Sequence, residues 1–294
     1  MKIPGLLFLA TSHNVSKAYL SAMHDLGMQP ERTLYIEFKP EPDNNPVTKV
    51  ISFGNKAIQF ARGGFHHSVI PKSDIVDRKS DEMEIFQRVI SAAFQRGLPV
   101  EDYFTSTREI LKKYNIPYES IQVPSLNDER FIEFVSKSPQ TVALYVDGGI
   151  LRRPILSTHI KFIHVHPGHV PDVRGTSCLL WGALVHNRIG ASCFFMNDGI
   201  DKGDVLMTKE YEIPVISIPH RYMSDAYAET RYIALQDYLD PCYRADVIRT
   251  LLKKEPDPAK WCAQPQDLSA GRTYYHPHKI LRDKMANRFF KGEQ

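Results

Sequence analysis

Apolar positions along this chain fall into short continuous runs, and amphipathic stretches separate them. The run GLLFLAT at residues 5–11 has the length of a strand. After it Val15, Ala18, Tyr19 and Ala22 recur at helical spacing, and Gly27 follows where a helix would end. RTLYIEF at 32–38 is rich in β-branched and aromatic residues and reads as a second strand. Strand, helix and strand with short connections predict a crossover onto a parallel sheet.

The same reading continues down the chain. Residues 41–80 carry turn-forming clusters and read as loops and short pieces. A helix is expected over 81–97 and another from Ser106, where STRE has the form of a capping box, to about Tyr114. YESIQV is the next strand, and SLNDERFIEFVSK a helix beginning at Ser125-x-x-Asp128. TVALYVDGG reads as a strand buried on both faces, ILRRPIL as a short helix or turn, KFIHVHPG as a strand stopped by Pro167, and ASCFFMN as one more strand. This alternation predicts an α/β fold, a doubly wound, mostly parallel, Rossmann-like sheet with a small C-terminal helical extension. Such sheets place their ligands at the carboxyl ends of the strands, so His164, His166 and the turns at 147–150 and 197–201 should converge there. The catalytic α/β domain is expected over 1–215 and the helical extension over 216–294. In the extension Met223, Ala226, Tyr227, Thr230, Ile233 and Ala234 have helical spacing, its tyrosines suit packing against the sheet, and the tail should end in a basic amphipathic helix.

Composition narrows the picture. The 294 residues are 43% hydrophobic and 24% charged with a net charge of +3, as in an ordinary globular protein and without the footprint of a nucleic-acid binder. Cys178, Cys193, Cys242 and Cys262 form no Cys-x-x-Cys pair, which predicts buried, reduced thiols and a cytoplasmic protein. The N-terminal run reads as a first core strand rather than a signal segment, and nothing approaches the roughly 18–20 apolar residues of a membrane span. The first turn lacks Gly-x-Gly-x-x-Gly, so a dinucleotide cofactor has no support.

The chemistry concentrates in FIHVHPGHVPDVRG, with histidines at 164, 166 and 169. His164 and His166, two apart on a strand, point to one face. That is a geometry for metal ligands, with His169, Asp172 and Asp201 as the further ligands such a site requires. It equally suits acid–base chemistry, or histidines satisfied at a strand end. Three readings stand at this point.

The residues around the histidines carry a specific resemblance. His164-Val-His166-Pro167, then Val170-Pro171-Asp172-Val173-Arg174-Gly175, then Trp181, Gly190 and Asp201-Lys202-Gly203-Asp204-Val205-Leu206 resemble the motifs of the formyltransferases that take their one-carbon unit from 10-formyltetrahydrofolate. The likeness extends over residues 105–240, while 1–100 match in pattern only. It implies that His166 handles the proton, that Asp201 fixes its tautomer and favours its imidazolium, and that His164 donates to the oxyanion. It implies donor contacts at Gly149, Ile150, Leu151, Asn197, Asp198 and Gly199, and places Arg174 and Gly175 on the loop after the strand as substrate-side residues. No metal is expected. The chain departs from the pattern in two places: His164 stands where the family has Asn, and Phe194 where some relatives carry His. An amide always donates, whereas a neutral imidazole donates from one nitrogen only. His164 is then a working substitute, a retuned donor, or the mark of a relative that binds without transferring.

Over 221–294, thirteen Lys and Arg stand against ten Asp and Glu, a weak attraction for tRNA. The resemblance therefore points to a small amine or hydroxylamine as acceptor, such as an amino sugar nucleotide or an amino acid derivative. GGFHHSVIP at 63–71 and the tyrosines of 222–238 are the acceptor-side candidates. A homodimer is compatible with this reading. The rival readings are a metal-dependent hydrolase built on His164, His166 and Asp201, and a non-catalytic folate-binding relative.

Overall fold

The computed structural model describes residues 1–39, 72–146 and 149–293. Among the described residues seven strands form the central sheet: β1 (Lys2–Ala10), β2 (Gln29–Phe38), β3 (Glu119–Val123), β4 (Val142–Tyr145), β5 (Lys161–His166), β7 (Ile189–Phe195) and β8 (Val205–Tyr211). Their order is β3-β2-β1-β4-β5-β7-β8. The first five are parallel, and β7 and β8 extend the sheet antiparallel. The chain winds outward from β1 to β3 and returns to β4 on the other side of β1, so the order reverses between β1 and β4. This is the doubly wound, mostly parallel sheet that the sequence predicts.

Alternation along each strand feeds two core layers. Leu6, Phe8, Ala10, Leu144, Ile163 and Val165 face one way, toward α1 (Asn14–Asp25). Leu7, Leu9, Ala143, Tyr145 and Phe162 face the other, toward the helices Glu129–Ser136 and Arg153–Leu156. The helix Asp240–Lys254 packs along α1 and against β5, β7 and β8. Asp246 in that helix takes Lys209 of β8 as an ion-pair partner and the Tyr211 hydroxyl as a donor at 2.9 Å.

Ser106 accepts from Glu109 N while the Glu109 carboxylate accepts from Ser106 N, a full capping box on the helix Thr107–Lys113. Other boundaries moved. The helix expected at 81–97 spans Lys72–Gln95, so the loop reading of 41–80 fails at its end, and the rest of it falls outside the described residues. The helix expected from Ser125 is capped by Asp128, whose carboxylate accepts from Arg130 N; Ser125 instead caps the preceding turn at Asn127 N. Met223 lies in a 3-10 turn, and the helical run begins at Ala228. The tail does form a helix, Lys279–Asn287, but ends in β11 (Phe290–Glu293), paired in parallel with β9 (Ile216–Pro219). Cys262 is exposed, against the expectation of four buried thiols.

The loop after β5 folds back over β7. At Gly190 a Cβ would stand against the His169 backbone nitrogen, so only glycine lets the loop lie this close. Gly190→Ala should cost about 1–3 kcal/mol through forced displacement of that loop, measured by urea unfolding; a cost within error would mean the loop yields freely.

Candidate active site

β5 fixes the two histidines. With Ile163 and Val165 in the layer beneath α1, the alternation of the strand turns Phe162, His164 and His166 to the opposite face. Leu9, Tyr145, His164 and Phe194 then stand in one register row across β1, β4, β5 and β7. The His164 ring lies 5.9 Å from both the Tyr145 and the Phe194 rings, and the His166 ring 6.4 Å from Phe194.

A cleft of about 100 Å3 opens at this end of the sheet. Tyr145, His164, Phe194, Met196 and Asp201 line it. The turns carrying Gly149, Ile150 and Leu151 and carrying Asn197, Asp198 and Gly199 border it, so all six residues read as donor contacts stand together. Asp147 and Gly148, which belong to the first turn, lie outside the described residues, as does the acceptor-side candidate 63–71.

Both turns are fixed by side-chain amides. Asn127 donates from Nδ2 to Ile150 O at 2.8 Å and accepts from Arg152 N at 2.7 Å. Asn197 accepts from Gly199 N at 2.9 Å and donates to Lys202 O at 3.2 Å, a side-chain turn of the kind asparagine forms. An exposed Arg153–Asp198 pair at 2.8 Å links the helix that follows the first turn to the second turn. Asn127 was not among the residues the sequence singled out, and its only signal was an asparagine just before a helix cap.

Asp201 occupies the left-handed region at φ +53°, rare for a residue with a side chain. Its Oδ2 accepts from Gly175 N at 2.8 Å, and its Oδ1 stands 3.5 Å from His166 Nδ1. The other ring nitrogen of His166, Nε2, lies 3.0 Å from Val173 O. A carbonyl can only accept, so Nε2 carries the hydrogen and Nδ1 faces the carboxylate. His166 is 2% exposed and does not itself line the cleft, though its neighbours Asp201 and Phe194 do.

Burial decides both charge states. It lowers the His166 pKa from its ordinary value, and the opposing pull of the Asp201 carboxylate is smaller. This corrects the expectation that Asp201 favours the imidazolium: it does, but desolvation outweighs it. His164 is driven well below the ordinary histidine value, first by burial and then by the positive charge of Arg244 and by His166, with the Tyr145 backbone acting more weakly the other way. Its Nδ1 is buried without a hydrogen bond. At neutral pH His164 is an uncharged ring, and the option of a charged donor closes.

Neither Arg174 nor Gly175 borders the cleft. Arg174 is buried and donates from Nη2 to Ala270 O at 3.2 Å, with Nε and Nη1 unpartnered. Gly175, at φ +103°, lets the Tyr274 carbonyl approach closer than a Cβ would allow. His169 pairs with Asp172 at 3.0 Å rather than with the other histidines, and among the described residues no three His, Cys, Asp or Glu side chains gather to hold a metal.

No protein-family model matches the chain. A 105-residue stretch is 34% identical to the methionyl-tRNA formyltransferase of Syntrophus aciditrophicus, covering 34% of this chain and 33% of that protein. A 112-residue stretch is 30% identical to the methionyl-tRNA formyltransferase of Thermosipho melanesiensis, covering 37% and 35%. Over these stretches the chain is thus similar to formyltransferases, and the match spans about one third of the length of these curated relatives. Among solved structures, an N-formyltransferase of Helicobacter canadensis in complex with folinic acid and dTDP-3-aminofucose overlays on 96% of this chain and 80% of its own, at a TM-score of 0.47 and 11% identity. That likeness is too distant to carry a ligand or a residue role across.

The neutral rings make stability depend on pH. Below about pH 6.5 an unfolded chain protonates histidines that the folded chain keeps neutral, so stability falls as pH falls, by at most about 1.4 kcal/mol per pH unit for each ring. Asp240 opposes this: burial lifts its carboxyl to about 6, so the folded chain takes up that proton first and stability is regained as pH falls from about 6 toward 3.8. His164→Asn should flatten the loss of urea stability between about pH 6.5 and 5, whereas an unchanged slope would show that the ring protonates freely in the folded protein.

Proposed function

We propose that this chain is an N-formyltransferase that moves a formyl group from 10-formyltetrahydrofolate to the amine or hydroxylamine of a small molecule, such as an amino sugar nucleotide or amino acid derivative. The observation that carries this reading is the cleft in which His164 and Asp201, with His166 beside the carboxylate, meet the turns at 149–151 and 197–199. The sequence relationship to formyltransferases over one third of the chain supports it. Apolar walls at Leu151, Phe194 and Met196 suit a flat ring, and the backbone of Gly149–Leu151 and Asn197–Gly199 suits its polar edge. The folate supplies the activated formyl carbon. The more open hollow beside Lys202 and Leu268 shares the 197–199 turn and would receive the glutamate end.

In this reading the acceptor amine attacks the formyl carbon, and negative charge develops on its oxygen. His164 meets that oxygen with the N–H of a neutral ring. The new carbon–nitrogen bond leaves a surplus proton on the incoming nitrogen. Asp201 takes it, sharing it with His166 Nδ1, and returns it to the leaving nitrogen as the old carbon–nitrogen bond breaks. Val173 O anchors the far side of His166 throughout. The weak positive charge of 221–294 favours a small acceptor over tRNA. The metal-hydrolase reading finds no converging ligand set among the described residues, and no helix there is long and apolar enough to cross a membrane.

Two measurements test the proposal. Metal-stripped protein titrated with 5-formyltetrahydrofolate should gain about 2.7 kcal/mol of stability at one hundred times the dissociation constant; no shift with folate, but restoration by zinc, would return the histidines to a metal site. In turnover assays against a panel of amines, His164→Ala should lose about 10²–10³-fold in kcat with folate binding retained, His164→Asn should keep or raise activity, and His166→Ala should abolish it. Folate binding with no turnover on any amine would leave a binding relative.

A further inference from the structure

We infer that Gln266, far from the motif in sequence, is a positioning residue that holds Asp201 in its working conformation; the catalytic part of this inference rests on the proposed transferase reading. The amide Nε2 of Gln266 donates to Asp201 O at 3.0 Å and to Gly203 O at 2.6 Å. Both hydrogens of one NH2 group are thus spent on the two carbonyls of the turn that carries the carboxylate. That turn needs holding. Asp201 sits in the left-handed region, and at Gly203 the backbone presses on the Phe195 carbonyl so closely that no Cβ would fit.

Gln266 belongs to a segment that grips both sides of the carboxylate. At one end Gln264 and Val205 exchange backbone hydrogen bonds at 2.7 and 2.8 Å, just beyond the Asp201 turn. At the other, β10 (Arg272–Tyr274) pairs in parallel with β6 (Val173–Gly175), and Thr176 N donates to Tyr274 O at 3.0 Å. β6 supplies the Gly175 N–H to Asp201 and the Val173 carbonyl to His166. One stretch of chain therefore sets the carboxylate, its backbone donor and its imidazole partner relative to one another. The charged or titratable groups acting on His166 are Asp201, Arg244 and His164. Cys178, also beside Asp201, is pushed far above the ordinary thiol range by burial and stays protonated.

Gln266→Met keeps the length of the side chain and removes both donors. In the full-length protein we expect kcat to fall about 10–100-fold, the KM for the formyl donor to stay within about twofold, and the melting temperature to hold. In histidine-labelled protein followed by NMR, the His166 ring should titrate at lower pH than in the unmodified chain, because withdrawal of Asp201 removes the one carboxylate that raises it. Unchanged kcat with an unchanged His166 titration overturns the inference. If the unmodified protein transfers no formyl group, the transferase reading falls, and the His166 titration alone decides whether Gln266 positions Asp201. Should Gln266→Met fail to fold, Gln266→Ala in the same titration decides it.

Discussion

The site depends on the strict two-residue alternation of β5. Ile163 and Val165 are committed to the core layer under α1, and that commitment forces His164 and His166 onto one face. A slip of one residue would bury neither pair correctly. Because β5 lies between a parallel neighbour, β4, and an antiparallel one, β7, the same register also fixes Tyr145 and Phe194 on either side of His164. Two aromatic rings and a core layer decide which way the imidazoles face, and Val173 O and Asp201 then hold the ring of His166.

That placement sets the electrostatics. A carboxylate near 3.5 Å from an imidazole in an open site would favour the imidazolium. Here the ring is 2% exposed, and desolvation wins, so the pair rests with His166 neutral. A ring held below its ordinary value, beside a carboxylate that would stabilise its charged form, is poised to share a proton without keeping it. Asp201 lines the cleft and His166 does not, so the carboxylate is the group a reacting nitrogen would meet first.

The fold was largely legible because its signals are local. Apolar runs of strand length, the capping box at Ser106 and the turn glycines each act within a few residues, and the structure places strands and helices where they indicate. Asp128 displaced Ser125 as a cap because two candidate caps lay three residues apart and sequence alone ranks them poorly. The start of the helix at Lys72 carries no clear signal, since its first turns are largely polar and adjoin a stretch rich in turn formers. The candidate site was legible as a motif, but its supports were not. Asn127 and Gln266 are single polar residues in loops, with no periodicity, and their function is set by carbonyls that the fold brings to them. The burial that reverses the expected effect of Asp201 on His166 is likewise a property of the packed molecule.

The histidine in place of the asparagine found in the resembled family also becomes intelligible at this level. An asparagine amide is a neutral donor at every pH. An exposed histidine would be a poor replacement, because its charge would change within the working range. Enclosed between Tyr145 and Phe194 and driven well below its ordinary value, His164 keeps one charge state where an amide does. If His164 serves as the proposed donor, the histidine keeps the neutral character of an amide while differing in shape and number of hydrogens. In the proposed reading, the hydrogen bonds that hold the Asp201 turn then matter to the chemistry because they set where the carboxylate stands beside His166.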